Sequence, residues 1–319
     1  MHLHLPAIAP RTTCATACLS LRPLAISAGV RDALAFSDPQ VKAGHRHGAS
    51  LTLAGTGDAI FMSAPGAGLL PAHVVVRARD LGRVLDAIES RVASGENLSL
   101  RLDIEGVRTF RSRLTPCSAD MRSVRARANI AAVAQWLRAG ADPLGLGVTA
   151  DAVLAPGGDW LNSVIELQHD ARSAESVLRR LIGLGAGTTP AGDDFSTGAL
   201  AHAWVTLGRE APIAAALRSL EAALPGLTTA TGATCLRAAV RGEFGSHLVA
   251  WVRALPRVSP SRALALALRV AGHGATSGFD TLAGFVAAAA ATDSANCSRL
   301  QAAKARPEDH PVSSVQALV

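Results

Sequence analysis

The sequence predicts an α+β protein, in which an N-terminal antiparallel β-rich domain is followed by an all-α helical domain. Short β-branched or alternating segments, separated by Gly and Pro, occupy the first part of the chain and are typical of strands. From about residue 122, alanine- and leucine-rich stretches with one apolar helical face replace them. With 319 residues, the chain has the length of about two domains. We expect domains at 1–120 and 121–292, followed by a loose polar tail at 293–319.

The N-terminal part contains several segments with strand character. Three are bounded by Gly or Pro, and two more alternate apolar with polar residues around Glu105 and Gly106, as a hairpin does: 50–55, 59–64, 73–78, 98–106 and 107–114. One helix is expected over 80–93, because Leu81, Val84, Leu85 and Ile88 share one face. These elements predict an antiparallel sheet or small barrel with one helix.

The rest of the chain reads as a series of helices. The expected helices are 126–140, 170–182, 194–207, 212–223, 230–241, 244–254, 259–271 and 277–291. After about Thr292 the sequence is polar and contains Pro307 and Pro311, which indicates a loose terminus.

Composition argues against several classes of function. The net charge is +6, but the arginines are scattered and aromatic residues are few, so nucleic acid is not an expected partner. Five cysteines at irregular spacings fit a reducing cytoplasm better than a disulfide framework. The longest apolar run, 282–291, is too short to cross a bilayer, and Pro6, Pro10 and Arg11 interrupt any signal-like segment. We therefore expect a cytoplasmic protein without a membrane partner.

The stretch "LIGLGAGTTPAGDDFSTG", residues 181–198, combines anion-binding features with acids. Its glycines read G-x-G-x-G after a helix, so it is not the dinucleotide fingerprint, and it lacks the lysine of a phosphate-binding P-loop. A purely structural interpretation is a helix–loop–helix whose second helix is capped by an aspartate. That interpretation leaves one of the two aspartates and both threonines, Thr188 and Thr189, unexplained.

A second stretch, "GHGATSGFDTLAG" at residues 272–284, repeats part of this pattern. Aligning Gly192 with Gly278 places Asp194 on Asp280 and Gly198 on Gly284, so both stretches read Gly-x-Asp-x-x-x-Gly. Because Ser277 and Asp280 are spaced as a capping box, convergent helix capping is one explanation. The alternative is that two helix N-termini face one cleft, with Gly198 and Gly284 allowing the helices to approach closely.

Such a cleft would suit a small ligand that has an anionic end and an NH₂ end. Helix N-termini and glycine N–H groups favour anions, whereas aspartates hold an amino group or a bridging Mg²⁺, the candidate cofactor. His273 is either a general acid or base or a hydrogen-bonded turn residue. The candidate catalytic residues are Asp193, Asp194, Asp280 and His273, with Asp193 and Asp194 as the candidate Mg²⁺ ligands. The candidate substrate-binding residues are Gly185, Gly187, Thr188, Thr189, Gly192, Thr276, Ser277 and Gly278. His45 and His47 alternate beside a predicted strand, but no third metal ligand is evident.

At these two stretches the sequence resembles the AllH-like subunit family of oxamate carbamoyltransferase. "GLGAGTTPAGDDFSTG" is similar to its G-x-G-x-T-P-x-G-D-D-x-x-x-G signature, and "GHGATSGFDTLAG" to its later G-H-x-S/T-S-G-x-D-x-L-x-G signature. The likeness covers about 45 to 290. Thr188 stands where relatives usually have an apolar residue, and Ala191 where serine is common, which puts a hydroxyl contact there in doubt. The resemblance implies companion subunits and the exchange of oxalurate and phosphate to give oxamate and carbamoyl phosphate.

Three hypotheses remain open at this point. The first is a carbamoyltransferase subunit in which the glycines and threonines bind anion oxygens and the aspartates orient an NH₂ group or Mg²⁺. The second is a non-catalytic scaffold or anion-sensing subunit, and the third is Mg²⁺-dependent phosphate-ester chemistry.

Overall fold

The structure is a computed structural model of the chain, and it describes residues 17–35, 40–47, 50–54, 58–66, 68–92, 98–140 and 144–304. It has the predicted α+β class, with an N-terminal sheet followed by a run of helices. A loose tail was expected from residue 293, but the last helix continues to Lys304. Residues 305–319 lie outside the described residues.

The N-terminal part is built on one eight-stranded sheet. Its strands are β1 (Ala17–Leu21), β2 (Ala25–Ser27), β3 (Gln40–His47), β4 (Ser50–Ala54), β5 (Ala59–Ser63), β6 (His73–Val75), β7 (Leu98–Leu102) and β8 (Arg108–Phe110). In space the order is β1-β7-β3-β4-β5-β6-β2-β8. The sheet is mixed, so the expectation of a purely antiparallel sheet was wrong. The pairs β1–β7, β2–β8 and β5–β6 are parallel, and the other pairs are antiparallel.

The hairpin expected around Glu105 and Gly106 was also wrong, although the turn exists. Strand β7 pairs with β1 and β3, whereas β8 pairs with β2 at the other end of the strand order. Only three residues link β1 to β2, a reach of about 14 Å, yet a flat sheet would separate them by six strand spacings, about 29 Å. The sheet must therefore curl until its two ends are close, which agrees with the small barrel that the sequence left open.

Two helices pack on the sheet, α1 (Ala28–Ala35) and α2 (Ala78–Val92). Leu81, Val84, Leu85 and Ile88 of α2 are all buried, as their common face predicts. They share one hydrophobic cluster with strand residues from Leu21 to Val107. This cluster is separate from the core of the helical part.

The helical part comprises the remaining helices and one short 3₁₀ turn, Gly208–Glu210. The helices are α3 (Ser118–Met121), α4 (Val124–Ala139), α5 (Ala150–Val153), α6 (Asp159–His169), α7 (Ala171–Leu181), α8 (Ala191–Leu207), α9 (Pro212–Leu220), α10 (Leu224–Leu227), α11 (Ala230–Ala239), α12 (Ser246–Ala254), α13 (Pro260–Ala271) and α14 (Ser277–Lys304). Helices α8 and α14 lie at its centre, and most of their side chains before Thr292 are buried. Among the helices that the structure describes, none combines the length and apolar character that a membrane span needs.

Direct hydrogen bonds connect the sheet to the helical part. The hydroxyl of Thr234 on α11 accepts from the N–H of Ala59 at 2.9 Å. Leu69 and Ser246 are joined twice, at 2.7 and 2.8 Å. Since Ala59 begins β5 and Thr234 lies on α11, the sheet is attached to the helix that flanks the first turn of α8.

Candidate functional site

The two Gly/Asp stretches form two equivalent helix starts that are packed against each other. A methyl group added at Gly198 would overlap the carbonyl oxygen of Thr281, and one added at Gly284 would overlap that of Phe195. In the alignment of the two stretches, Phe195 corresponds to Thr281 and Gly198 to Gly284. The contact is therefore reciprocal, and each glycine removes the side chain that would keep the other helix away.

The preceding pair of glycines is equivalent as well. A methyl group at Gly192 would overlap the carbonyl oxygen of Leu181 at the end of α7, and one at Gly278 would overlap that of Val270 near the end of α13. The N–H of Gly192 donates to Leu184 and that of Gly278 to His273, at 2.9 and 3.0 Å. These two glycines therefore close the loops, and their N–H groups are already used within them.

Helices α8 and α14 run side by side in the same direction. Their first turns meet near Asp194 and Asp280, Gly198 lies between Thr281 and Phe285, and His202 packs edge-on against Phe285 at 5.2 Å. Both positive helix ends consequently point toward the same place. The two helix N-termini are therefore neighbours, and a ligand cleft between them stays a prediction.

The loop between α7 and α8 is built to present N–H groups. Gly183, Gly185 and Gly187 have positive φ values of 82°, 99° and 105°. Residues with a side chain rarely adopt this backbone conformation, so glycine is favoured at these three positions. The N–H groups from Gly185 to Thr189 donate to no other described residue. Because Gly185, Ala186 and Gly187 are exposed, the loop offers a concave set of donors of the kind that binds anions.

Asp193 is buried and its carboxylate is fully used inside the protein. One oxygen accepts from the N–H of Gly183 at 2.8 Å, and the other accepts from the hydroxyl of Thr228. Gly232 of α11 lies so close to this carboxylate that a methyl group there would overlap it. Burial raises the pKa of Asp193, against the lowering effect of these two hydrogen bonds. Its contacts therefore position the loop, α10 and α11 relative to α8.

Asp194 and Asp280 are different, because each has a buried oxygen without a partner. Asp194 Oδ2 and both carboxylate oxygens of Asp280 form no hydrogen bond with the described residues. Burial raises the pKa of Asp194 well above its usual range; the hydroxyls of Ser277 and Thr189 oppose this shift, and the negative charge of Asp280 adds to it. Burial therefore shifts the protonation equilibrium of Asp194 toward the neutral carboxyl.

Asp280 is 0% exposed and lies under the segment Gly145–Leu146. Burial raises its pKa to about 6; the hydroxyl of Thr276 and the N–H groups of Gly145 and Leu146 face it and have the opposite effect. None of these three groups reaches full hydrogen-bonding geometry, which leaves the carboxylate unpartnered. Burial thus favours the protonated form of both acids.

Hydroxyl groups join the two loops in front of this pair. Thr189 Oγ1 and Ser277 Oγ share a hydrogen bond of 3.0 Å. Thr188 contributes its carbonyl oxygen, which accepts from the hydroxyl of Thr229 at the start of α11. The structure therefore brings Thr189, Ser277 and Asp194 together, whereas Thr188 is held toward α11.

His273 interacts electrostatically with two other histidines, His247 and His73. Burial lowers its pKa, and the positive charge that His247 can carry lowers it further. His73 on β6 is buried, with a pKa lowered to about 4 by burial and then by His273. Its Nδ1 accepts from the N–H of Leu70 at 3.0 Å, so Nε2 donates to Ser63 Oγ at 2.8 Å. The sequence missed this contact between the α13–α14 loop and the sheet.

The geometry does not fit a metal held by Asp193 and Asp194. Asp193 has no free oxygen, and its carboxylate is directed to Gly183 and Thr228, away from that of Asp194. Within the described part of the chain, no group of three or more His, Cys, Asp or Glu side chains is arranged to hold a metal ion. His45 and His47 lie in β3, but their side chains fall outside the described residues.

Sequence reasoning also missed three neighbours of the carboxyl pair. Gly145 and Leu146 cover Asp280, and Gly145 also touches Gly185 through its carbonyl oxygen. Cys235 of α11 lies near Asp194 and Asp193; burial and then these two carboxylates raise the pKa of its thiol, which is therefore neutral. No local sequence pattern marks these three residues, since all of them reach the site through tertiary packing.

Residues 181–289 match the family model of the oxamate carbamoyltransferase subunit AllH. The match begins at the last residue of α7 and ends within α14, so it includes both Gly/Asp helix starts. The resemblance that the two signatures indicate is therefore confirmed for this segment. No solved structure matches the chain.

Proposed function

We propose that this protein is a subunit of a carbamoyltransferase of the oxamate type, working with companion subunits. The observation that carries the proposal is the convergence of two helix N-termini on the Asp194–Asp280 pair, within the segment that is similar to AllH. Oxalurate and phosphate would react there to give oxamate and carbamoyl phosphate. The substrates suit this place, because both are anionic and oxalurate carries a ureido group.

The anionic groups would lie against the exposed loop. Gly185, Gly187 and Thr189 present N–H groups that donate to no described residue, and the positive ends of α8 and α14 point the same way. Thr276 and Ser277 begin the equivalent turn of the second loop. Two anions bound at one place need such donors, since each donor offsets charge repulsion in the transition state.

Asp194 would act as the proton donor to the leaving group. A phosphate oxygen attacks the carbamoyl carbon of oxalurate, the bond from that carbon to the oxamate nitrogen breaks, and this nitrogen takes the proton of Asp194. Hydrogen phosphate returns a proton to Asp194, so atoms and charge balance. Asp280 would keep Asp194 protonated through its negative charge, because it lies behind it and has no partner of its own.

The remaining candidates would position the site and would not react. Asp193 connects the loop to Thr228 and α11, and Gly192 and Gly278 close the two loops. His273 would help to close the α13–α14 loop, since its carbonyl oxygen accepts from the N–H of Gly278. Mg²⁺-dependent phosphate-ester chemistry is not favoured, because Asp193 and Asp194 do not form a common donor set.

The test is the Asp194→Asn variant in the complex assembled with its companion subunits. Loss of a general acid lowers turnover by about 10²–10⁴-fold. The melting temperature should stay within a degree or two, since an amide replaces a carboxyl that is already largely neutral. Asp159→Asn is the matched control, because Asp159 is also in the first turn of a helix, α6, but is exposed. Full activity of Asp194→Asn would exclude the assignment.

The non-catalytic alternative is tested on the isolated chain. Binding of oxalurate or carbamoyl phosphate to the anion loop should raise the melting temperature of the wild type. A scaffold that binds only its partner subunits would show no shift with either compound. If the Asp194→Asn variant still shows this rise in melting temperature and its assembled complex remains active, an anion-sensing role is favoured.

A further inference from the structure

A second cavity lies in the helical part, on the far halves of the two central helices. It has a volume of about 600 Å³ and lies between α3, α4, α6, α8 and α14. Its walls are mainly apolar, with Ile130, Ala134, Ile165, Val286 and Ala289 among them. Along α8, Thr206 in this cavity is twelve residues beyond Asp194, which corresponds to about 18 Å. The cavity is therefore separate from the carboxyl pair, and its volume is typical of small-molecule sites.

One buried polar group in the wall has no partner. His202 is 4% exposed, lines the cavity, and its Nδ1 forms no hydrogen bond with the described residues. Burial lowers its pKa to about 4, so the ring is neutral at physiological pH. The other buried polar side chains nearby are satisfied: Gln168 donates to the carbonyl of Ala288 and accepts from Thr292, and Thr206 donates within α8. A buried polar atom without a partner is costly, so His202 is a weak point in this wall of the cavity.

The rim of the cavity is positively charged. Of the described residues that line it, Arg122, Arg127 and Arg138 are basic and Asp293 alone is acidic. Arg138 is engaged by Asp151 and the carbonyl of Leu154. Arg122 and Arg127 form no ion pair with the described residues, and both are exposed. Their guanidinium groups are thus available to a carboxylate at the entrance.

We propose that this cavity is a binding site for a medium-sized apolar monocarboxylate. The hydrocarbon part fills the space between α4, α6 and α14, and the carboxylate meets Arg122 and Arg127 at the rim. A phosphate or dicarboxylate would not suit the site, because the inner walls are aliphatic and offer few donors.

The test uses octanoate as the probe and octylamine as its charge-reversed control, with the purified full chain and titration calorimetry. Octanoate should bind saturably at one site, and octylamine at least tenfold more weakly. The double variant Arg122→Gln, Arg127→Gln should weaken octanoate binding about tenfold, which is the loss of one charge-assisted contact. Arg125→Gln is the matched control, since Arg125 lies on the same helix, α4, but does not border the cavity.

Ala134→Phe separates binding in the cavity from adsorption to the surface. Ala134 borders the cavity, so the larger ring fills the space that the hydrocarbon chain would use. Octanoate binding should be lost while the circular dichroism spectrum and melting temperature remain those of a folded protein. Unchanged octanoate binding by this variant, equal binding of octylamine, or no binding by the wild type would each overturn the proposal.

Discussion

The close approach of α8 and α14 predicts that Gly198→Ala destabilises the protein. The new methyl group would overlap the carbonyl oxygen of Thr281, would lie 2.8 Å from its carbonyl carbon, and would lie 2.9 Å from the nitrogen of Phe285. All three are backbone atoms, which cannot rotate away as a side chain could. The helices must therefore separate, and the first turns that carry Asp194 and Asp280 must shift with them.

The expected magnitude is the difference between two effects. Alanine is favoured over glycine inside a helix by about 0.5–1 kcal/mol. Overpacking a tight contact costs about 1–3 kcal/mol, and the rigid backbone neighbours place this case at the upper end. The net loss should be about 2 kcal/mol in the free energy of unfolding. Because Gly284 forms the reciprocal contact at the same crossing, the double variant should lose less than the sum of the two single variants.

The measurement is the urea midpoint followed by circular dichroism, with Gly82→Ala as the matched control. Gly82 is inside α2, and a methyl group there would have no neighbour within 4 Å. That variant should gain the helix preference alone and become more stable by about 0.5–1 kcal/mol. If Gly198→Ala and Gly82→Ala shift the midpoint in the same direction, the inferred contact between α8 and α14 is wrong.

Three further predictions concern buried polar groups. Asp280→Asn should be about 3 kcal/mol more stable than wild type at pH 8, and the two proteins should be equally stable below pH 4. The reason is that protonated Asp280 contributes fully to the stability of wild type below the unfolded-state pKa of 3.8, and this contribution is lost as the pH rises through the folded-state pKa of about 6. Urea midpoints at both pH values test this prediction. Thr228→Val should cost about 1–3 kcal/mol, because it leaves an oxygen of buried Asp193 unpaired, and an unchanged midpoint would contradict that reasoning. The stability of wild type relative to His73→Gln should fall by about 3 kcal/mol as pH falls from 6.5 through about 4, because buried His73 resists protonation that the unfolded chain accepts. Part of the pH dependence should remain in the variant, because the pKa of buried His202 is lowered in the same way.

The helices could be predicted because their signal is local. The apolar residues of α2, α7 and α11 recur at helical spacing, and each of these helices forms close to its expected range. The end of α14 was misjudged because residues 292–304 are polar. They nevertheless contain no proline and include several good helix formers, so the helix continues to Lys304.

The order of the strands could not be predicted, since pairing depends on contacts distant in sequence. Segments 98–106 and 107–114 alternate around a Gly turn, and locally this is indistinguishable from a hairpin. In the fold, β7 instead lies between β1 and β3, and β8 lies beside β2. The curled sheet brings its ends together, so a short turn can join strands that never pair.

The candidate site was predictable as far as its repeated spacing extends. Gly-x-Asp-x-x-x-Gly places a glycine one turn beyond each aspartate, on the face where two such helices meet. Spacing could not distinguish the neighbours Asp193 and Asp194, because their different roles depend on Thr228 and Gly232, which come from elsewhere in the chain. Nor could it reveal Gly145, which covers Asp280 from another loop.

The tension between an anion-binding loop and adjacent acids is reduced by burial, which favours the protonated form of Asp194. Two ionised carboxylates beside the loop would repel an anion, whereas burial and mutual repulsion favour a proton on Asp194. A protonated carboxyl can donate a hydrogen bond to an anion and later release its proton to a leaving nitrogen. The same burial that makes Asp280 unfavourable for stability at neutral pH keeps Asp194 protonated, so the stability gained by Asp280→Asn should be accompanied by a loss of transfer activity.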